Sequence, residues 1–125
     1  MIDCSCDYDP PEFWSKTVPT ARKQHRCEEC AGPIFPGEKY EYIAGKWGGY
    51  FDSFKTCERC VDIRQWVQNN LPCFCWAHGN MIEDAAEAVN EASFRTPTET
   101  VGLRFGFLRR KVLRDKRNQA VRAAA

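Results

Sequence analysis

The sequence predicts a small α+β domain whose fold is organised around bound metal. With 125 residues and 43% apolar composition, the chain is long enough for one modest hydrophobic core. Eight cysteines are present, and four of them form CxxC pairs at 27–30 and 57–60, a spacing typical of metal ligands. A β-hairpin pattern separates these pairs and helical periodicity follows the second, so strands and helices are both expected.

The N-terminal residues predict extended structure that leads to the first cysteine pair. Residues 1–16 combine acidic residues and prolines with Phe13 and Trp14, which favours an extended arm anchored by its aromatic side chains. We expect a short strand over 18–26, and the glycines and prolines of 32–37 then predict a tight loop. The first pair is therefore expected to lie beside a turn.

A β-hairpin is predicted between the two cysteine pairs. The segments 38–44 and 50–56 are rich in tyrosine, phenylalanine and isoleucine, residue types that favour strands. The segment 45–49 between them contains three glycines, which tolerate the positive φ angles of a tight turn. We therefore expect two antiparallel strands that lead directly into the second cysteine pair.

Two helices are predicted downstream of the hairpin. The first begins at the second cysteine pair and ends before Pro72, and its apolar residues share one helical face: Val61, Ile63, Trp66, Val67 and Leu71. The second has Asn80 as N-cap and Glu83 in the capping-box position, three residues later. Its apolar residues also recur at helical spacing: Ile82, Ala85, Ala86, Val89 and Ala92. We expect three aromatic residues in the core: Trp14, Phe54 and Trp66.

A third helix, rich in basic residues, is predicted at the C-terminus. Thr96 is an N-cap residue followed by proline, and four apolar residues then recur at helical spacing: Val101, Phe105, Leu108 and Val112. Gly102 and Gly106 weaken this pattern, but two glycines one turn apart can permit a close helix contact. We therefore divide the chain into a zinc-binding body over 1–95 and a basic C-terminal helix over 96–125.

Charge is distributed unevenly along the chain. The formal net charge is +1, but residues 104–125 carry eight basic residues against the single acidic Asp115, a local charge of +7, so that residues 1–103 carry −6. Seven of the basic residues are candidate partner-binding positions: Arg104, Arg109, Arg110, Lys111, Arg114, Lys116 and Arg117. An ordinary solvated helix face is the common alternative explanation for such a basic run.

The two CxxC pairs predict one zinc site formed by four thiolates: Cys27, Cys30, Cys57 and Cys60. Tetrahedral zinc with Zn–S distances near ~2.3 Å needs sulfurs about 3.8 Å apart, which a CxxC turn provides. The second pair lies at i and i+3 on the first turn of the predicted helix, whose free N–H groups and dipole stabilise the negative charge of the site. Disulfides would require an oxidising compartment, and a thioredoxin-like redox motif would require a βαβ context that this sequence lacks. Zinc is therefore the favoured interpretation.

The other four cysteines form two CxC pairs, which predict a second zinc site: Cys4, Cys6, Cys73 and Cys75. A helix over 60–71 is roughly 16 Å long, so Cys73 and Cys75 cannot readily join the first site. Residues i and i+2 of an extended chain face the same side and can both bind one ion. His78 is the possible substitute for one thiolate, and free buried thiols are the alternative to metal binding. Two zinc ions are therefore expected.

The order of cysteine pair, loop, hairpin and helix bearing the second pair resembles the treble-clef group of zinc fingers. This resemblance covers residues 20–71, and three segments carry it: Arg26-Cys27-Glu28-Glu29-Cys30, Ile34-Phe35-Pro36-Gly37-Glu38-Lys39-Tyr40 and Lys55-Thr56-Cys57-Glu58-Arg59-Cys60. It implies a treble-clef-like core in which a zinc knuckle and hairpin hold one metal site. The whole chain is also similar to small, mostly uncharacterised zinc-finger proteins of temperate bacteriophages and prophages.

The sequence offers no targeting or membrane segment. Residues 1–7 are acidic and lack the apolar run of a secretory signal, so we expect a reducing, cytoplasmic location. The bacteriophage resemblance implies the cytoplasm of a host cell. The longest uncharged stretch, 65–82, is rich in residues that a bilayer core would reject, which predicts that no segment spans a membrane.

Enzymatic activity is not expected from these sites. Four thiolates close the coordination shell of zinc, whereas a catalytic zinc keeps an open position. Treble-clef relatives include HNH-like nucleases, but only His25 and His78 are available here as imidazole bases. No nucleophile motif or glycine-rich phosphate loop is present, and no small-molecule substrate is inferred. A nuclease is therefore the less favoured alternative.

Binding is the remaining class of function, and two types of partner compete. The basic helix could contact phosphates, and Trp47 or Tyr50 at the hairpin tip could stack on bases, so a nucleic-acid-binding protein is one alternative. The acidic body opposes this, because it would repel a polyanion. We favour a protein partner. The bacteriophage resemblance implies a host protein, with inhibition or redirection of host machinery such as a defence system as the outcome.

Overall fold

The computed structural model describes residue 6 and residues 11–124 of the chain. A three-stranded sheet contains the strands Phe13–Thr17, Tyr40–Trp47 and Tyr50–Cys57 in that order, and His25–Arg26 and Pro33–Ile34 form a separate two-stranded ribbon. Three helices follow the strands, so the chain is a small α+β protein, as predicted. The elements are β1 Phe13–Thr17, β2 His25–Arg26, β3 Pro33–Ile34, β4 Tyr40–Trp47, β5 Tyr50–Cys57, α1 Glu58–Asn70, α2 Met81–Arg95 and α3 Leu103–Ala124.

The predicted β-hairpin is confirmed as β4 and β5. The strands pair in antiparallel register from Tyr40 opposite Cys57 to Trp47 opposite Tyr50. Gly48 and Gly49 make the turn, with φ angles of 55° and 87° that side-chain-bearing residues rarely adopt. The strands are longer than predicted, because pairing continues up to the two-glycine turn.

The strand predicted over 18–26 is wrong. The first strand is β1, which forms the edge of the sheet beside β4, from Phe13 opposite Lys46 onward. Within 18–26, Thr20 makes only an isolated bridge to Lys39, and the final two residues form β2. Pro19 lacks the N–H that a continuous ladder needs, which explains why β1 stops before it.

The three predicted helices are present and pack on one another in one core. Thr96, expected as the N-cap of the third helix, is instead the C-cap of α2, and α3 begins only at Leu103. Residues from all three helices are buried there: Ile63, Val67, Ala85, Val89, Leu103 and Phe107. A neighbouring core lies between the sheet and the start of α2, around Ile34, Tyr40 and Met81. Of the aromatic residues expected in the core, Trp66 and Phe54 are half-buried, whereas Trp14 is 57% exposed. The prediction for Trp14 is therefore wrong, because β1 is an exposed edge strand.

The apolar residues whose spacing predicted the third helix lie on its exposed side. All four are exposed: Val101, Phe105, Leu108 and Val112. The buried face contains Leu103 and Phe107 together with the polar Arg114 and Asn118. Gly106 lies on this buried side, where an added Cβ would be 2.6 Å from Cη2 of Trp66 in α1. The close helix contact permitted by glycine is thus formed within the chain.

Candidate metal centre

Four cysteine sulfurs converge at the junction of the ribbon, the hairpin and α1. The Sγ atoms of Cys27, Cys30, Cys57 and Cys60 all lie within 4.8 Å of one another. The Cys27–Cys60 and Cys30–Cys57 pairs are both separated by 3.8 Å. Sulfurs bound tetrahedrally to one zinc ion lie about 3.8 Å apart, so this geometry fits the metal. The predicted first site is therefore assembled by the fold, and the group can hold a metal ion.

Local structure explains how each pair is presented. At the first pair, the N–H of Cys27 donates to the carbonyl of Gly32 at 2.9 Å, and the N–H of Ala31 donates to the carbonyl of Cys27 at 3.0 Å. Ala31 adopts a positive φ of 60°, which tightens the turn around the sulfurs. At the second pair, Cys57 ends β5 and Cys60 lies in the first turn of α1, as predicted.

Donors surround the sulfurs and suit negative charge there. The N–H groups of Cys57 and Glu29 point to Sγ of Cys27 at 3.3 and 3.4 Å. Nη1 of Arg114, which α3 contributes, lies 3.8 Å from Sγ of Cys60. Since each thiolate brings a full negative charge, these contacts offset part of the charge of a four-thiolate site.

The four thiols influence one another's ionisation strongly. A hydrogen bond with Cys27 lowers the pKa of Cys57 to about 7 and also lowers the pKa of Cys30. Hydrogen bonds within the cluster raise the pKa of Cys27, with Cys30 as the main partner, and that of Cys60, with Cys27 as the main partner. Adjacent sulfurs therefore cannot all ionise on their own. A divalent cation would supply the missing positive charge and allow four thiolates to coexist.

The residues predicted for the second site are also brought together in part. Cys6 and Cys75 form a disulfide bond that spans 69 residues of sequence. Sγ of Cys73 lies 3.9 Å from Sγ of Cys75, while Cys4 lies outside the described residues. A disulfide and thiolate ligation exclude one another at the same sulfur, so the second zinc ion stays a prediction. Over the described part of the chain, only the cluster of Cys27, Cys30, Cys57 and Cys60 has the spacing of a metal site.

The two histidines make aromatic contacts. His78 stacks on Phe54 with ring centroids 4.5 Å apart and an interplanar angle of 9°. Burial, followed by the charge of Arg64, lowers the pKa of His78. His25 lies beside Tyr40, and its Nδ1 is 3.3 Å from Nζ of Lys55.

The seven basic candidates of α3 divide into two groups. Three of them contact the chain itself. Arg114 reaches the cysteine cluster, Arg117 donates to Pro33 O and Glu38 Oε1 at 2.8 Å each, and Arg110 covers the ring of Trp66 at 4.7 Å. The other four lie at exposed or half-exposed positions: Arg104, Arg109, Lys111 and Lys116. The described structure therefore leaves these four available to a partner.

Two acidic residues near the cluster have structural roles that sequence reasoning missed. The carboxylate of Glu29 accepts from the N–H groups of Gly79 and Met81 at 2.6 and 3.0 Å, and so caps the start of α2. Glu38 accepts from Arg117 and from Arg59 of α1, at 2.8 and 3.1 Å. Glu38 also accepts from the nearby N–H of Phe35 at 2.8 Å, but the other partners of both residues are distant in sequence.

Comparison of the chain with protein-family models, with curated proteins and with solved structures gives no match. The treble-clef and bacteriophage resemblances therefore remain predictions. In the described part of the chain, no helix combines the length and apolar character of a membrane span.

Proposed function

We propose that this chain is a zinc-stabilised, non-enzymatic binding module that presents the exposed face of α3 to a protein partner. The closed geometry of the four cysteines supports a structural role for the metal, because four sulfur ligands leave no position for substrate. One observation carries the choice of surface: α3 is held against the cysteine cluster by Arg114, while its opposite face is exposed and apolar.

The exposed face has the composition of a contact surface. Phe105, Leu108 and Val112 are 72%, 48% and 47% exposed, and their i, i+3, i+7 spacing aligns them along the helix. We call these three residues the α3 stripe. Four basic residues accompany the stripe: Arg104, Arg109, Lys111 and Lys116. An apolar centre with a charged border is the usual anatomy of a protein interface.

The partner that fits this surface is a protein segment with apolar residues and acidic neighbours. Its acidic side chains would complement the basic border, and its apolar residues would cover the α3 stripe. The bacteriophage resemblance extends the proposal to a host protein whose activity is inhibited or redirected. A nucleic acid is less suited to this face, because an apolar centre offers phosphates no contact and three arginines are engaged within the chain.

Quantitative affinity capture from bacterial lysate tests this proposal with three matched baits. The wild-type chain should enrich a protein that the double variant Phe105→Ser, Val112→Ser fails to capture. The Phe51→Ser variant removes an equally exposed aromatic residue, 75% exposed on β5, and should capture the same protein as the wild type. Circular dichroism and zinc content should be equal for all three baits.

Three results would contradict the proposal. Equal capture by the wild type and the stripe variant would show that α3 is not the contact surface. In a gel shift with salt titration, tight nucleic-acid binding with a steep salt slope, lost in Arg104→Ala, Arg109→Ala, would instead establish the nucleic-acid alternative. A dimer in sedimentation that the stripe variant abolishes would assign the stripe to a second copy of the chain.

A further inference from the structure

A cavity of about 650 Å³ lies between one face of the β1-β4-β5 sheet, helix α1 and the loop between α1 and α2. Pairing places Trp14 opposite Gly45 and Gly45 opposite Asp52, while Trp47 lies opposite Tyr50. Side chains alternate between the faces of a strand, so these residues share the face that lines the cavity. The volume is in the range of small-molecule binding sites.

The walls of the cavity are aromatic. The rings of Trp47 and Phe54 meet edge to face with centroids 5.5 Å apart, and Trp76 meets His78 in the same way at 4.7 Å. Trp47 lies against Gly45, where an added Cβ would be 2.9 Å from the indole ring. A side chain at Gly45 would therefore collide with this ring. Trp14 completes the lining from the exposed edge strand.

The most buried polar residues of the cavity lining, Glu41 and Arg64, are already paired with one another. Glu41 and Arg64 are 3% and 7% exposed, and Nη1 of Arg64 donates to Oε1 of Glu41 at 2.9 Å. Nη2 of Arg64 donates to the other carboxylate oxygen, and Nζ of Lys16 lies 3.7 Å from that oxygen. The guanidinium of Arg64 also covers the ring of Trp76, 4.7 Å from its centroid. The carboxylate of Glu41 therefore has two positively charged neighbours, Arg64 and Lys16.

Around Glu41 this arrangement disfavours a cationic group, and the aromatic walls favour a neutral ring. An ammonium group would meet Arg64 and Lys16, and the attraction of Trp76 for a cation is already used by Arg64. Flat aromatic walls instead bind a flat ligand by stacking. Polar groups that can read the edge of such a ring also line the cavity, namely the carboxylate of Asp52 and the amide of Gln65. Nδ1 of His78 is buried and has no hydrogen-bond partner in the described structure.

We propose that this cavity binds a planar heteroaromatic base of the nucleobase type, stacked on its tryptophans and read at its edge by Asp52 and Gln65. The base could belong to a free nucleoside or to a single strand of nucleic acid. This site is separate from the α3 stripe, so it does not depend on the proposed protein partner.

The four tryptophans provide the test. Trp14, Trp47 and Trp76 line the cavity, whereas Trp66 packs beside Gly106 of α3. In ¹H–¹⁵N spectra of the zinc-loaded chain, titration with adenosine, guanosine, cytidine or uridine should shift the first three indole N–H signals in a saturable manner. The Trp66 signal should not move, and tetramethylammonium should shift none of the four.

Variants identify the stacking residues. Trp47→Leu should weaken binding of the best nucleoside about fivefold or more, since stacking of a base on an aromatic side chain contributes about 1–3 kcal/mol. Trp14→Leu provides the same test at an exposed position, should Trp47→Leu disturb folding. Phe51→Leu is the control, because Phe51 lies on the opposite face of the sheet and contacts Phe13 at 5.8 Å. Its affinity should equal that of the wild type.

A single-stranded hexadeoxyadenylate distinguishes the two sources of the base. Tighter binding than adenosine, with the same three indole signals shifted, identifies a base within a strand; equal affinity identifies a free nucleoside. The proposal is overturned if no nucleoside or oligonucleotide shifts the three signals, if tetramethylammonium alone does so, or if neither tryptophan variant weakens binding.

Discussion

Nη1 of Arg114 lies 3.8 Å from Sγ of Cys60, and this contact joins the C-terminal helix to the candidate metal centre across 54 residues of sequence. Arg114 is only 7% exposed and also pairs with Asp115 at 2.8 Å. Burial tends to lower its pKa, but the charges of Asp115 and Cys60 outweigh burial and raise it. The guanidinium is therefore held charged beside the sulfur.

Replacing Arg114 with alanine should destabilise the chain. We expect a loss of about 2 to 3 kcal/mol in the free energy of unfolding, because the thiolate loses a buried, charged donor. Urea unfolding of the zinc-loaded protein measures this loss. The matched control is Arg109→Ala on the exposed side of α3, which should stay within about 0.5 kcal/mol of the wild type. Equal effects of the two substitutions would show that the contact with Cys60 contributes nothing specific.

A substitution that usually stabilises helices should do the reverse at Gly106. Alanine normally gains about 1 kcal/mol over glycine inside a helix. At Gly106, however, the new Cβ would lie 2.6 Å from Cη2 of Trp66, so the helices must separate or the indole must move. We expect Gly106→Ala to lower the free energy of unfolding by about 1–3 kcal/mol. Trp66→Leu in the same chain should remove most of that penalty, and additive losses would contradict the close contact.

The capping role of Glu29 can be separated from the general effect of acidic residues near the cysteine cluster. Glu29→Ala leaves the N–H groups of Gly79 and Met81 without their acceptor, and should cost about 1–2 kcal/mol in thermal or urea unfolding. The neighbouring Glu28→Ala removes the same charge from an exposed position and should have little effect. Similar losses in both variants would indicate an electrostatic rather than a capping effect.

Stability should fall on mild acidification because of His78. Burial and Arg64 lower its folded-state pKa below the ordinary value of 6.5. As the pH falls below about 6.5, the unfolded chain therefore binds a proton at His78 while the folded chain does not, and the free energy of unfolding decreases until the folded pKa is reached. His78→Phe preserves a ring on Phe54 but removes this titration. Urea unfolding between about pH 7.5 and 5.5 should give a shallower dependence for the variant; parallel curves would contradict the expectation.

Zinc stoichiometry should depend on the redox state of Cys6 and Cys75. Native mass spectrometry should find one zinc ion in the oxidised chain, where these residues form a disulfide and Cys27, Cys30, Cys57 and Cys60 remain free thiols. After reduction and loading without oxygen, we expect two ions. Cys60→Ser should lose the first ion and unfold more readily, whereas Cys75→Ser should lose only the second. A single ion in the fully reduced chain would rule out the second site.

Local sequence signals predicted the elements whose geometry is locally determined. The two glycines after Trp47 favour a tight turn, and α1 ends just before Pro72. The hairpin and the helix could therefore both be predicted from the sequence. The four cysteines of the candidate metal centre could also be predicted, since each CxxC spacing itself presents two sulfurs to one ion.

What the sequence did not reveal depends on contacts between distant residues. Apolar periodicity did not mark the buried face of α3, because that face includes Arg114, which reaches Cys60, and Asn118, which lies against Gly32. The capping box expected at Asn80 is absent: its side chain donates to Asp84, and Glu29 from the first CxxC pair supplies the cap instead. Burial of a polar side chain follows from tertiary pairing, which periodicity does not measure.

The position of α3 depends on the turn that presents the first cysteine pair. Arg117 of this helix donates to the carbonyl of Pro33, 84 residues earlier, beside the turn that presents the first two sulfurs. Without zinc, the chain would lose the turn at Cys27 and Cys30, and α3 would lose its contact with that turn. Under the proposed function, recognition of a partner would then depend on loading with the metal.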